Sequence, residues 1–309
     1  MVDISLIVPV SPDAVNSDLE LLLQSITDQT LQNIEALIVV NSVPNMFVPE
    51  NSHIRLIILP GRQGATAARN YAAKYAKAEI LGFLDDDVIL DSKWCEYAVS
   101  SFNDGSVGGV SGRTKVPLRR YGLTYIPQEL LWVVGGTYWE GDDIRPVLGA
   151  AGMNFCVRKK IFAQVGGYDE GLGPAGDRPE VNRWFRLGAE EDDLALKIRA
   201  SCRKKVMFNP KMIVKHRLRR ESVLPIGLVK RSLHVGQNRA YIHSKHPSVG
   251  SSNTHAMLRK VTRTTIVTAV SLPLHPLNSW MKLSFTCIVT FGLVIGYSFG
   301  LLRFRFSSN

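Results

Sequence analysis

Glu79-Ile80-Leu81-Gly82-Phe83-Leu84-Asp85-Asp86-Asp87-Val88 passes from an apolar stretch straight into three consecutive carboxylates. An apolar run without polar alternation reads as a strand covered on both faces, the form taken by parallel strands of α/β sheets. Ligands of open α/β sheets sit at the carboxyl ends of such strands, where these acids stand. Three adjacent carboxylates repel one another unless a cation shares them, and hard divalent ions such as Mg²⁺ or Mn²⁺ prefer oxygen ligands. Two readings stand on these residues alone: a metal-dependent site, or a solvated acidic turn after a strand.

Upstream, residues 4–10 read as a first strand, with Pro9 ending its use as a ladder donor. Residues 15–30 carry Leu19, Leu22, Leu23 and Ile26 at helical spacing. Residues 35–40 predict a second strand with Asn41 at its end, and residues 53–59 a third. Gly61 and Gly64 then open a helix over 65–76 that carries Arg69 and Asn70. The alternation predicts an α/β fold, a mostly parallel sheet with helices on both faces. The glycines form neither a Walker loop nor a dinucleotide fingerprint.

The chain has 309 residues, 45% of them hydrophobic, enough for one large domain or two. Its net charge of +10 is uneven: residues 1–196 carry 17 Lys+Arg against 26 Asp+Glu, and residues 197–263 carry 17 against one, Glu221. A local basic surface of this kind attracts phosphate, in a nucleotide or on an anionic membrane. No zinc-finger spacing or RNA-binding aromatic signature accompanies it, so no nucleic-acid partner is expected. Cys95, Cys156, Cys202 and Cys287 form no CxxC pair, which suits a reducing compartment. No signal peptide is expected, since residues 4–10 are too short for its apolar core.

Residues 283–302 contain no charge and as a helix measure about 30 Å, the thickness of a bilayer core. Trp280 and Lys282 before them and Arg303 and Arg305 after them suit membrane interfaces, so a transmembrane helix is expected; a buried core helix is the alternative. Before this, residues 264–281 predict an apolar helix broken by Pro273 and Pro276, read as interfacial or as the first arm of a two-span hairpin.

Several stretches together resemble the inverting family 2 glycosyltransferases of GT-A fold, over roughly residues 3–240. They are Val8-Pro9-Val10; Gly64 with Ala68-Arg69-Asn70; Phe83-Leu84-Asp85-Asp86-Asp87; Gly152, Asn154 and Arg158-Lys159; Val165 to Glu170; and Glu190-Glu191-Asp192-Asp193-Leu194 with Arg199. The resemblance implies donor binding by Pro9, Asn41, Gly64, Arg69, Asp85, Asp86 and Asn154; Arg231, in the run Lys230 to His234, is read as a cation on the diphosphate or as part of a solvated or lipid-facing helix surface. The resemblance also implies a metal, Mn²⁺ or Mg²⁺, on Asp87 with Asp85 and His216, and a base at Glu191 or Asp192. Aligning Leu194 selects Glu191, whereas the family's Glu-Asp pair read literally selects Asp192. Trp184 is a candidate acceptor contact or a packing residue, and His216 is either a ligand or part of a basic loop. The family usually has an aspartate where this chain has Asn41, which leaves the nucleotide open, since an amide both donates and accepts.

The expected organisation is a GT-A domain over 1–240, a basic and interfacial segment over 241–282, the transmembrane helix over 283–302 and a tail over 303–309. The expected activity is transfer of a hexose or hexuronic acid from a nucleotide sugar, a UDP-sugar first, to a lipid-linked acceptor such as dolichyl or polyprenyl phosphate. The catalytic part would face the cytoplasm. Extension of a lipid-linked saccharide is the rival among enzymes; a non-catalytic nucleotide-sugar-binding membrane protein is the rival from another class.

Overall fold

Every residue of β1 (Ile4–Pro9) is buried, as its unbroken apolar run requires. It pairs in parallel with β2 (Ile34–Val40), Ile4 opposite Ile34, and with β4 (Ile80–Leu84), Leu6 opposite Gly82; β3 (Ile54–Ile58) extends the parallel set beyond β2. Successive side chains leave a strand on opposite faces, and each face has its own cover. Ile4, Leu6 and Val8 pack with Leu19, Leu22, Leu23 and Ile26 of α1 (Asn16–Thr27). Ile7, Leu37 and Phe83 pack with Ala68, Ala72 and Ala73 of α2 (Ala65–Ala73). The computed structural model describes residues 2–12, 14–41, 53–61, 63–118, 125–173, 187–218, 223–270 and 276–306.

Among these the chain forms two compact units, one of residues 1–115, 139–182 and 190–217, the other of 116–138, 183–189 and 218–309. The first holds a nine-stranded sheet. Its further strands are β5 (Val88–Leu90), β6 (Val107–Lys115), β7 (Arg145–Pro146), β8 (Asn154–Arg158) and β9 (Lys205–His216), in the order β3-β2-β1-β4-β8-β6-β9-β5 with β7 on β9. The set through β4 is parallel; β8 runs antiparallel to β4 and β6, and β6 runs parallel to β9. Helices α3 (Trp94–Ser100), α4 (Lys159–Gln164) and α5 (Glu190–Cys202) complete this unit.

The second unit holds a 3₁₀ helix (Gln128–Val134) and three long helices, α6 (Pro225–Lys245), α7 (Pro247–Val270) and α8 (Pro276–Phe306). Leu130, Val133, Leu228, Met257, Val261, Phe285, Val289 and Leu293 form its apolar centre. Helix α8 takes Pro276 as its first residue, where a missing N–H costs nothing, and runs beyond the 283–302 stretch at both ends. Pro273 lies outside the described residues. Among the described residues α8 is the one helix long and apolar enough to cross a membrane.

Candidate active site

The sheet opens where its strand order reverses. From β1 the chain goes to β2 and β3 on one side and then to β4 on the other, so the carboxyl ends of β1 and β4 part into separate loops. Asp85, Asp86 and Asp87 lie in the turn between β4 and β5 and serve three different partners. Asp86 is buried, and its carboxylate accepts the Ser11 N–H at 2.7 Å, which ties the loop after Pro9 to the rim. Asp85 accepts the Arg69 guanidinium at 2.6 Å. Asp87 faces the His216 ring at 3.5 Å. The antiparallel register of β5 on β9 sets Val88 opposite His216, which brings these two distant residues together. Next to them, the Arg217 N–H donates to the Asp87 carbonyl at 2.9 Å and its side chain meets Asp18 at 2.6 Å.

Arg69 is the centre of the arrangement. Helix α2 starts after Gly64 and presents Arg69 inward, 3% exposed, where one guanidinium nitrogen bonds Asp85 and another lies 3.3 Å from Glu191 and 3.8 Å from Glu190. Its plane also lies over the Tyr168 ring, 5.6 Å from the centroid. Burial works against its charge, but Asp85, Tyr168 and the two glutamates outweigh that and keep it protonated. The acids at the start of α5 divide as a helix turn divides them. Glu190 and Glu191 face Arg69; Asp192 accepts the Ala150 N–H at 3.3 Å; Asp193 is fully buried against Lys197 at 2.6 Å. Loss of hydration, then the Glu190 charge, pushes Glu191 well above the ordinary carboxylate range, while Arg69 pulls it back. A group so poised exchanges protons nearer neutrality, as a general base must.

The loop before β8 lies directly on these acids. A β-carbon at Gly152 would fall 1.8 Å from Glu191 Oε1, and one at Gly149 2.1 Å from Asp192 Oδ1. Any larger residue at either place would push the facing carboxylate aside. Asn70 locks the other side of the rim, exchanging hydrogen bonds of 2.9 Å with the backbone of Tyr168 and reaching Glu170 at 3.0 Å.

No three His, Cys, Asp or Glu side chains among the described residues gather into a metal cage. Yet Asp87 Oδ1 and His216 Nδ1 are buried without a hydrogen-bond partner. A Mg²⁺ or Mn²⁺ ion binds through one or two carboxylates and completes its shell with water and substrate phosphate, so Asp87, with the His216 Nε2 that faces it at 3.5 Å, fits such an ion.

Other expected residues are placed differently. Asn154 is fully buried, accepts the Trp94 indole N–H at 2.8 Å and donates to the Arg113 and Met212 carbonyls at 3.1 and 3.0 Å. Both its N–H groups join β8 to β6 and β9. Asn41, at the end of β2, accepts the Gln63 N–H at 3.0 Å and so orders the turn before Gly64. Arg231 belongs to α6 of the second unit. Trp184 lies outside the described residues. Sequence reasoning missed the junction of Arg69 with Glu190 and Glu191 and the contact of Gly149 with Asp192. Gly149 and Gly152, three residues apart before a strand, were the available signal of a backbone in close approach.

The model of the family described as glycosyl transferase family 2 matches residues 5–166. That span ends before α5, so the acids of residues 190–193 and His216 rest on geometry. A curated relative from Haloferax volcanii, a glucosyl-dolichyl phosphate glucuronosyltransferase, is 24% identical over 291 residues, 90% of each chain. An uncharacterized glycosyltransferase from Haemophilus influenzae is 28% identical over 155 residues, 49% of this chain and 52% of that one. Among solved structures, a mannosyltransferase from Pyrobaculum calidifontis in complex with GDP-Man and Mn²⁺ superposes with a TM-score of 0.57 at 15% identity, covering 94% of this chain and 86% of that one. GalNAc-T7 with UDP, GalNAc and Mn²⁺ gives 0.52 at 16% identity, covering 80% and 51%. These likenesses establish the fold as GT-A.

Proposed function

The chain belongs to glycosyl transferase family 2, and on that premise we propose that it moves a hexose or hexuronic acid, with inversion, from a UDP-sugar to a lipid-linked acceptor, dolichyl or polyprenyl phosphate. The observation that carries this reading is the Asp85–Arg69–Glu191 bridge, which joins the acidic rim of β4 to the first turn of α5 through one buried guanidinium. Asp85 and the loop tied by Asp86 would hold the nucleotide, with Pro9, Asn41 and Gly64 around it. Where the acceptor is a sugar hydroxyl of a lipid-linked saccharide, Glu191 would take its proton at Oε1, with Asp192 the alternative base; the oxyanion of a lipid phosphate attacks without that transfer. A divalent cation on Asp87, with Asp85 and His216, would neutralise the departing diphosphate.

The lipid-linked acceptor is supported by the Haloferax relative's name and by α8. Attachment to the cytoplasmic face of a cell membrane follows, with the catalytic domain on the side where nucleotide sugars are made. Purified full-length protein incubated with Mn²⁺, dolichyl phosphate and a panel of nucleotide sugars should release nucleoside diphosphate from one of them. Turnover with a lipid-linked saccharide but not with dolichyl phosphate would move the reading to chain extension. Tight nucleotide-sugar binding without turnover on either acceptor would leave a non-catalytic binding protein.

A further inference from the structure

Helices α6 and α8 pair more extensively than any other two elements, and they do so through backbone. A β-carbon at Gly292 would lie 2.5 Å from Ser232 Cβ, one at Gly296 2.1 Å from the Leu233 carbonyl, and one at Gly300 2.6 Å from Ala240 Cβ; one at Gly236 would lie 2.4 Å from the Leu293 carbonyl. Ser232, Gly236 and Ala240 face Gly292, Gly296 and Gly300, each set recurring every fourth residue. The order of contacts makes the two helices parallel and side by side. Farther along, the His243 ring meets the Tyr297 hydroxyl.

If α8 crossed a bilayer, α6, parallel to it and in backbone contact with it, would cross as well. The middle of the 283–302 stretch falls at Gly292, level with Ser232. Were α8 to span, Lys230 and Arg231 would stand at the midplane, about 15 Å from water on either side and beyond the reach of a snorkelling side chain. Gln237, Asn238 and Arg239 would follow them into hydrocarbon.

The same unit leaves large apolar side chains exposed. Trp280, Met281, Phe291, Val294, Ile295, Phe299 and Leu302 are exposed along one side of α8, and Ile266, Val267 and Val270 are exposed at the end of α7. From residue 222 to residue 309 there are ten Lys and Arg and no Asp or Glu. An uncovered apolar stripe among cations and no anions complements a membrane of anionic lipid.

We propose that the second unit lies in one leaflet: α8 and the end of α7 sink their outer faces among the acyl chains of an anionic membrane, α6 stays on the water side, and the chain does not cross. This rests on the reading of a lipid-linked acceptor and gives it a geometry, with both ends of α8 on the cytoplasmic side.

The test uses full-length protein in membranes of the expressing cells, with Cys202→Ser and Cys287→Ser removing the accessible thiols; Cys95 and Cys156 are buried. Single cysteines at Lys282→Cys and Arg303→Cys are treated with a membrane-impermeant maleimide in sealed inside-out and right-side-out vesicles. Both should react in inside-out vesicles and neither in right-side-out vesicles until detergent is added. Reaction of one site only in each vesicle type would mean that α8 crosses, overturning this inference while leaving membrane attachment intact. Fractionation of the protein as soluble without detergent, with no flotation on anionic vesicles, would overturn both.

Discussion

Charge is handled in opposite ways in the two units. In the first, buried charges are paired within the molecule: Arg69 with Asp85, Glu190 and Glu191, and the buried carboxylates of Asp193 and Glu35 with the more exposed Lys197 and Arg55. In the second, from residue 222 onward, there are ten Lys and Arg and no Asp or Glu. Internal pairing fixes geometry and shifts proton affinities, which serves chemistry. A surplus of one sign attracts something external and is screened by salt, which serves attachment. The difference predicts that first-unit substitutions act on folding and turnover, and second-unit substitutions on partition to lipid.

The largest effect should come from Arg69→Met. It leaves Glu190 and Glu191 buried without their cation, and breaking one partner out of a buried ionic group costs about 3–5 kcal/mol. Both glutamates are already raised by burial. Without Arg69 the folded state binds more protons than the unfolded chain, so stability should fall as pH rises and recover on acidification. Urea melts across pH read this directly; a pH-independent loss would contradict the pairing. Arg69→Lys should rescue charge but not the fork that reaches both elements.

Next is Glu191→Gln. With a hydroxyl acceptor kcat should fall about 10²-fold or more, because the proton has no taker. A phosphate acceptor is already anionic and tolerates the change. The same base should give the wild-type pH–rate profile an acid limb above the ordinary carboxylate pKa, because Glu191 is raised and inactive when protonated. That limb should vanish in Glu191→Gln, whereas its persistence would point to Asp192. Gly152→Ala should resemble Glu191→Gln with the carboxylate still present, since a displacement of about 1 Å can cost about 10²-fold. Unchanged turnover there would mean that Glu191 is not held by this loop.

The strands of the parallel set were legible in the sequence within a residue or two, because strands buried on both faces leave continuous apolar runs, as at residues 4–9 and 80–84. The acidic rim was legible for the same reason: it ends such a run. Asn154 was not, because nothing local reveals the Trp94 indole that claims its oxygen. The approach of Asp87 to His216 was legible only through the family resemblance, since it depends on the pairing of a three-residue strand with a twelve-residue one, and so short a strand has no periodicity to read. In the second unit the apolar length of α8 was plain, but its partner was not. Ser232, Gly236 and Ala240 lie in a helix whose charges drew attention to its polar face, although their spacing matches that of Gly292, Gly296 and Gly300.

The smallest effect should come from Arg259 and Arg263, both exposed on α7. Replacing both by Gln should weaken binding to anionic vesicles by about 1 kcal/mol for each cation that touches headgroups, an effect that salt should erase. Equal loss on neutral vesicles would mean that the attachment is apolar alone.

The most direct test is calorimetric titration of UDP into the full-length protein with Mn²⁺, with EDTA, and in Asp87→Ala. Nucleotide binding should require Mn²⁺ in the wild type and be lost in Asp87→Ala, while the thermal melt of the variant stays near that of the wild type. Equal affinity under all three conditions would contradict a metal-assisted glycosyl-transfer site at the end of β4.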